Sequence, residues 1–369
     1  MKDINESRAE ISSVDKEMAA LFERRMAASV DVAEYKKAHG LPIYDEIREK
    51  ELMERNSSYI EDPLVRSYYR KFLRECMTLS KDYQHHIIDG MKVAYSGVEG
   101  AFAHIAATRI FPRATTLSYP GFESAYKSVE DGECDCAVLP IENSYAGEVG
   151  SVMDLIFNGS LYINGAYDLK ISQNLLGIKG STISDIKTVI SHPQALAQCE
   201  PYIKKHGLSA VNSTNTAEAA RLGADMNDRT TAAIASYETA ALYGLTLLDH
   251  DINESSGNTT RFAVLSRTAM ESLKSDKGTF VILFTVNDEA GALVKAISVI
   301  GKYGFNMKVL RSRPVNTRQW QYYFYVEAEG DETTKDGRAM LKELAKQCDE
   351  LKIAGHYSPS QTSKDLNNE

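Results

Sequence analysis

Ser191-His192-Pro193-Gln194-Ala195-Leu196-Ala197-Gln198-Cys199, residues 191–199, places polar side chains where an apparent strand ends and a helix begins. The residue before a proline is held extended, and proline suits the first turn of a helix. Four further stretches repeat the arrangement: Leu139-Pro140-Ile141-Glu142-Asn143-Ser144, Asn215-Thr216-Ala217-Glu218-Ala219-Ala220, Ala232-Ala233-Ile234-Ala235-Ser236 and Asn258-Thr259-Thr260-Arg261-Phe262. Ligand sites of α/β sheets form at such strand ends. Short β-rich runs alternate with helical stretches over residues 91–268, so this segment reads as an α/β domain. It starts with a strand at Met91–Tyr95, followed by Gly97-x-x-Gly100 and a helix from Ala101. Glycines there can present backbone N–H groups to an anion. A dinucleotide fingerprint needs a third glycine and a later acidic residue, and neither is well placed.

The flanks differ in texture. Residues 1–88 read as helix, interrupted at Pro42 and Pro63. Residues 278–357 read strand, helix, strand, strand, helix, strand. Polar or glycine-bearing linkers are expected at His85–Gly90 and Thr268–Gly278, and residues 358–369 read as a disordered polar tail.

Composition narrows the classes. Hydrophobic residues make up 43% and charged residues 25% of the 369, as in a folded multidomain protein. No apolar run approaches the ~20 residues that span a bilayer, and the start of the chain is too polar for a secretory signal. We therefore expect a cytoplasmic location and no membrane partner. A net charge of -9 without a basic block argues against nucleic acid. The five cysteines form no Cys-x-x-Cys pair and no histidine cluster has zinc-ligand spacing, so neither metal nor cofactor is expected.

In the first segment, Ile4, Ile11, Met18, Leu21, Phe22 and Val32 keep helical spacing to His39, a helix of roughly 50 Å. That helix must bury its stripe against two shorter helices, from about Asp45 and Pro63, or against another copy. Arg25 and Lys36 fall within about 20° of the stripe's face at roughly 100° per residue. Buried cations without partners are costly, so this face should hold an anion.

Here the sequence resembles the helical chorismate mutase family, over nearly all of residues 4–84. The resemblance rests on Arg8 with Asp15, Glu23-Arg24-Arg25, Lys36, Asp45-x-x-Arg48-Glu49, and Ser80 with Gln84. It implies that Arg8, Arg25 and Arg48 clamp carboxylates of chorismate, where the planar fork suits bidentate binding. Lys36 and Gln84 would donate to the breaking ether oxygen. Glu49 would hold the ring hydroxyl, with Asp45 and Ser80 in support. The rearrangement to prephenate is unimolecular and needs positioning and charge stabilisation only. Arg8 and Arg25 are seventeen residues apart, about 25 Å along a straight helix and roughly 100° different in direction. If both bind, Arg8 serves the site of a second subunit, so a homodimer or a dimer of dimers is expected.

The five stretches of the middle segment, in their order, strongly resemble prephenate dehydratase over residues 91–267. The implied fold is two α/β lobes around a cleft. The implied reaction expels carbon dioxide and the ring hydroxide of prephenate, giving phenylpyruvate, with Thr260 as acid or donor. Arg261 is the candidate anion partner. It shares a site with Thr260 only if no strand has begun there, since adjacent strand residues face opposite sides. Asn143, Ser144, Gln194, Thr216 and Phe262 complete the expected contacts, and His192 reads as a packing or turn residue before a general base.

Residues 278–357 look like an ACT domain, a ferredoxin-like βαββαβ module that binds amino acids. The resemblance implies a phenylalanine site at Gly291-Ala292-Leu293, Asn306, Leu310, Ser312 and Arg313. Arg311 stands where the dehydratase-linked pattern has glutamate. The whole reads as a bifunctional enzyme of phenylalanine biosynthesis, regulated by its product.

Overall fold

The computed structural model describes residues 3–38, 46–254, 257–269, 278–315 and 321–357. Asp45, the tail 358–369 and the side chain of Lys36 lie outside the described residues. Two compact units emerge, Met1–Lys92 and Val93–Glu369. Among the described residues no helix is long and apolar enough to cross a membrane.

The first unit holds three helices: α1 (Ile4–Ala38), α2 (Glu46–Ser57) and α3 (Pro63–Asp89). Asp62 starts α3 by accepting from the N–H groups of Leu64 and Val65, and Pro63 gives up a donor that needs no partner there. α3 runs through Asp89, so His85–Asp89, expected as linker, is helical backbone. Its buried side chains are few, chiefly Ala33, Leu73, Cys76 and Met77. Ile4, Ile11 and Leu21 are each more than half exposed. The stripe expected to be buried is therefore largely uncovered along the first half of α1.

The second unit starts with β1 (Lys92–Ser96), α4 (Phe102–Ile110), β2 (Thr115–Tyr119), α5 (Phe122–Glu130), β3 (Cys136–Asn143), β4 (Gly147–Glu148), α6 (Gly150–Asn158) and β5 (Tyr162–Lys170). The chain then builds a second lobe. It contains β6 (Asn174–Gly177), β7 (Thr188–Ser191), α7 (Pro193–Gln198), α8 (Glu200–Lys205), β8 (Ser209–Asn212), α9 (Thr216–Met226), β9 (Thr231–Ala235), α10 (Tyr237–Tyr243) and β10 (Thr246–Asp249). β11 (Thr259–Ser266) returns to the first lobe and lies antiparallel between β3 and β5. The five strands of the second lobe run β10-β6-β9-β7-β8. The two crossings between lobes are tied to each other: Ile171 N–H donates to Asn258 O, and Ile252 N–H to Gln173 O, both at 2.8 Å.

The last segment is β12 (Thr279–Thr285), α11 (Ala292–Lys302), β13 (Asn306–Pro314), β14 (Tyr322–Glu329), α12 (Lys335–Leu344) and β15 (Glu350–Tyr357), in the sheet order β13-β14-β12-β15. Alternation along β12 explains its burial on both faces. Phe280, Ile282 and Phe284 pack with Met340 and Leu344 under the helices. Val281 and Leu283 join Tyr323, Tyr325 and first-lobe residues such as Ile163 and Leu139 in one core. Burial lowers the pKa of Lys352, whose ammonium donates to the carbonyls of Ile156 and Gly159 at the end of α6, each at 2.5 Å.

The sheets of lobe and module meet where β15 pairs with β5 in parallel, Gly355 opposite Ile163, making one sheet of ten strands. Gly355 has φ +153°, and a Cβ there would sit 2.0 Å from Ile163 O. Only glycine permits this approach. Gly355→Ala should cost about 3 kcal/mol from backbone strain and displaced packing. Calorimetry should show the unfolding transition of the second unit several degrees lower; an unchanged midpoint would mean that β15 does not lie this close to β5.

Candidate active sites

In the first unit a cavity of about 300 Å³ is lined by Arg25, Ser29, Arg48, Glu49, Ser80, Lys81 and Gln84. Five of the predicted mutase residues thus meet at one place. Arg25 Nη1 donates to Cys76 O at 2.8 Å and also bonds Ser80 Oγ, which fixes the guanidinium against α3. Gln84 Nε2 donates to Ser29 Oγ at 2.8 Å, while its buried Oε1 finds no partner among the described residues. Lys81 pairs with Glu49 at 3.0 Å. Ser29 and Lys81 were missed by sequence reasoning. Ser29 follows Arg25 by one turn and Lys81 precedes Gln84 by about one turn, so helical spacing could have found them. Arg8 is exposed and does not line this cavity. The distance along α1 is the reason, as its separation from Arg25 requires.

In the second unit a cleft of about 360 Å³ lies between the lobes. Asn143, Gln194, Thr216, Thr260 and Phe262 all line it. β11 has begun by Thr259, so Thr260 and Phe262 face the cleft and Arg261 faces away. The expectation of Arg261 as a substrate contact is thereby corrected. It is held by Asp168, Nε donating to Oδ1 at 2.7 Å, and that carboxylate raises its pKa further. Ser144 does not line the cleft either. Its hydroxyl accepts from Thr259 N–H at 2.9 Å and donates to Gly257 O at 3.1 Å, tying the end of β3 to the start of β11.

Asn143 organises the centre. Its Oδ1 accepts from the N–H groups of Tyr145 and Ala146, which closes the turn after β3. Its Nδ2 donates to Thr260 Oγ1 and to Asn258 Oδ1, both at 2.9 Å. The buried Thr260 hydroxyl thus accepts from Asn143, and a hydroxyl that accepts can also donate.

No lysine or arginine is among the described residues that line the cleft. The positive ends of α4 and α9 face it instead, through Ala101–Ala103 and Asn215–Thr216. Helix N-termini favour anions by dipole and free N–H groups. Asn215 caps α9, its Oδ1 accepting from Glu218 N–H at 2.7 Å. His192 caps α7, its Nδ1 accepting from Gln194 N–H at 3.2 Å. Ser96, Gln173 and Gln198 also line the cleft and were not singled out. Ser96 stands at a strand end and Gln173 at a crossing, without a motif of their own, while Gln198 ends α7 within the quoted 191–199 stretch.

Of the effector candidates, Gly291 starts α11 with φ +83°, followed by Ala292 and Leu293. Asn306 donates to Glu329 Oε2 at 2.9 Å. Leu310 and Ser312 are exposed on β13. Arg313 differs from the expectation: it reaches the first lobe, with Nη1 2.8 Å from Glu148 and Nε 3.1 Å from Asp154. Alternation along β13 turns it, with Arg311, toward that lobe. Among the described residues no group of three or more histidine, cysteine or acidic side chains could hold a metal.

Comparison with known proteins agrees with this division. The model for chorismate mutase type II matches residues 7–85, and that for prephenate dehydratase residues 93–270. A bifunctional chorismate mutase/prephenate dehydratase of Aquifex aeolicus is 31% identical, covering 97% of this chain and 98% of the relative. Among solved structures, a prephenate dehydratase from Arthrobacter aurescens in complex with L-Phe is 27% identical with a TM-score of 0.68, covering 73% of this chain and 90% of that one. A structure described as a novel type of quorum quenching acylase is 32% identical with the same TM-score, covering 72% and 97%. With two family models side by side and a relative matched over nearly its whole length, this chain belongs to the family of bifunctional chorismate mutase/prephenate dehydratases.

Proposed function

We infer that the first unit rearranges chorismate to prephenate and that the cleft of the second unit converts prephenate to phenylpyruvate, in phenylalanine biosynthesis. The observation that carries the second activity is the Asn143–Thr260 hydrogen bond at 2.9 Å on the floor of the cleft. Substrate carboxylates would lie against the N-termini of α4 and α9. Thr260 would donate to the departing ring hydroxyl as the bond to the carboxylate carbon breaks and its electrons enter the ring. Gln194, Thr216 and Phe262 would orient the ring. A threonine is a poor acid in water, so its effect depends on a dry, preorganised site.

In the mutase cavity, Arg25 and Arg48 would take the two carboxylates, Glu49 the ring hydroxyl, and Gln84 the ether oxygen together with Lys36. Asp45 and Ser80 would support them. The uncovered stripe of α1 and the position of Arg8 favour a second copy of this chain as the missing neighbour, with Arg8 acting across the dimer. The βαββαβ segment supports an ACT reading, with phenylalanine bound near Gly291, Ala292, Leu293, Asn306, Leu310 and Ser312. The cytoplasm is the proposed compartment: all five cysteines are free, as a reducing environment keeps them.

Purified protein should consume both substrates separately. Thr260→Val should cut phenylpyruvate formation at least ~100-fold while prephenate accumulates from chorismate, the scale of losing one positioned donor. Gln84→Ala should do the reverse. Loss of both activities in either folded variant would mean that a site is misplaced. The chain should sediment as a dimer or larger, and mixing Arg8→Ala with Arg25→Ala subunits should restore mutase activity, one site of each mixed dimer regaining both arginines. Mixed dimers that form but stay inactive would exclude the role across the dimer. Millimolar phenylalanine should inhibit dehydration and release heat in calorimetry; neither effect would mean that the module senses another ligand.

A further inference from the structure

We propose that Arg311 is a positioning residue for the dehydratase site, holding the strand that carries Asn143 from its far side. This rests on the dehydratase reading above. In the β3–β11 pair, Asn143 lies opposite Thr260 and Glu142 opposite Arg261. Alternation sends the first pair into the cleft and the second toward the C-terminal module. There Arg311 Nη2 meets Glu142 Oε2 at 2.6 Å, with the arginine side chain 17% exposed. The guanidinium also lies 5.9 Å from the Tyr325 ring centre.

Arg261, the other flank, is held by Asp168 of β5 and also approaches the module. Glu327 on β14 is almost fully buried, accepts from the hydroxyls of Tyr325 at 2.6 Å and Tyr357 at 3.0 Å, and lies 4.0 Å from Arg261 Nη1. Each catalytic position thus has a chain neighbour that reaches a side chain of the module, Glu142 to Arg311 and Arg261 to Glu327. The β3–β11 register shifts between Arg261 and Phe262, one step from Thr260. Ladders are weakest at such irregularities, so this pair of strands needs an external hold.

Stability alone does not account for Arg311. Its buried Nη1 finds no partner among the described residues. An apolar side chain of equal length would avoid that cost. What the charge adds is a fixed place for Glu142, and so for the Asn143 amide whose direction sets where the Thr260 proton points. Small misplacements of such groups change the rate of the chemical step more than binding.

The test is steady-state kinetics of the full-length chain with prephenate. Arg311→Met should lower kcat about tenfold with KM within about twofold of wild type and mutase activity unchanged. Glu142→Gln should do the same, and the double variant should be no worse than either single one. The exchange Arg311→Glu with Glu142→Arg should regain part of kcat, which a general loss of packing would not. Arg311→Lys keeps the charge without the fork and should fall between wild type and Arg311→Met. Unchanged kcat in Arg311→Met, additive losses in the double variant, or no recovery on exchange would overturn the assignment while leaving the dehydratase reading intact. A wild-type chain inactive on prephenate would overturn both.

Discussion

The antiparallel insertion of β11 between β3 and β5 is the constraint on which most of the second unit depends. It brings the chain back from the second lobe over two crossings that are hydrogen-bonded to each other. It sets Thr260 opposite Asn143 and so fixes the threonine hydroxyl at the floor of the cleft. It also centres β5 in a wide sheet, leaving its outer edge to receive β15. A register slip of one residue would turn Thr260 away and present Arg261, since side chains alternate with period two.

The C-terminal module is part of the same body for hydrophobic reasons first. β12 is apolar on both faces, and a four-stranded sheet with helices on one side covers only one of them. The other face is removed from water by the first lobe, in a core shared by Tyr323, Tyr325, Leu139 and Ile163. Each large side chain buried in this way contributes about 1.5–3 kcal/mol. The charged groups at the seam are set within that apolar contact. Arg313, Arg311 and Glu327 give it specificity of register through their ion pairs with Glu148, Glu142 and Arg261.

The first unit presents the opposite balance. Its cavity sets seven polar side chains beside Ala28, Val32, Leu52 and Met77, and its own apolar core is small. A long helix with an uncovered stripe gains little from propensity alone. Burial against another surface is what such a helix lacks.

Helical periodicity marked the three-helix segment, and strand-end motifs marked the cleft, because those signals are local: spacing along the chain sets direction in helices and strands. The strand-end stretches that hold Asn143, Gln194, Thr216 and Thr260 were legible for that reason, as was Arg25 on the helical stripe, whereas Arg48, Glu49, Ser80 and Gln84 came from the family resemblance. Arg261 was legible only as a conditional, since its face depended on where β11 begins. Arg313 was misread because alternation says that it opposes Ser312 but not which side is covered. Gln173 carries no motif and gains meaning only from neighbours distant in sequence. By itself the sequence determined the element types, their order and the chemistry available at strand and helix ends. Tertiary structure alone decided that lobe and module share one sheet at Gly355, and that Arg311 and Arg261 turn to the seam. Long-range strand pairing and the covering of a second face are settled by packing, which no local pattern encodes.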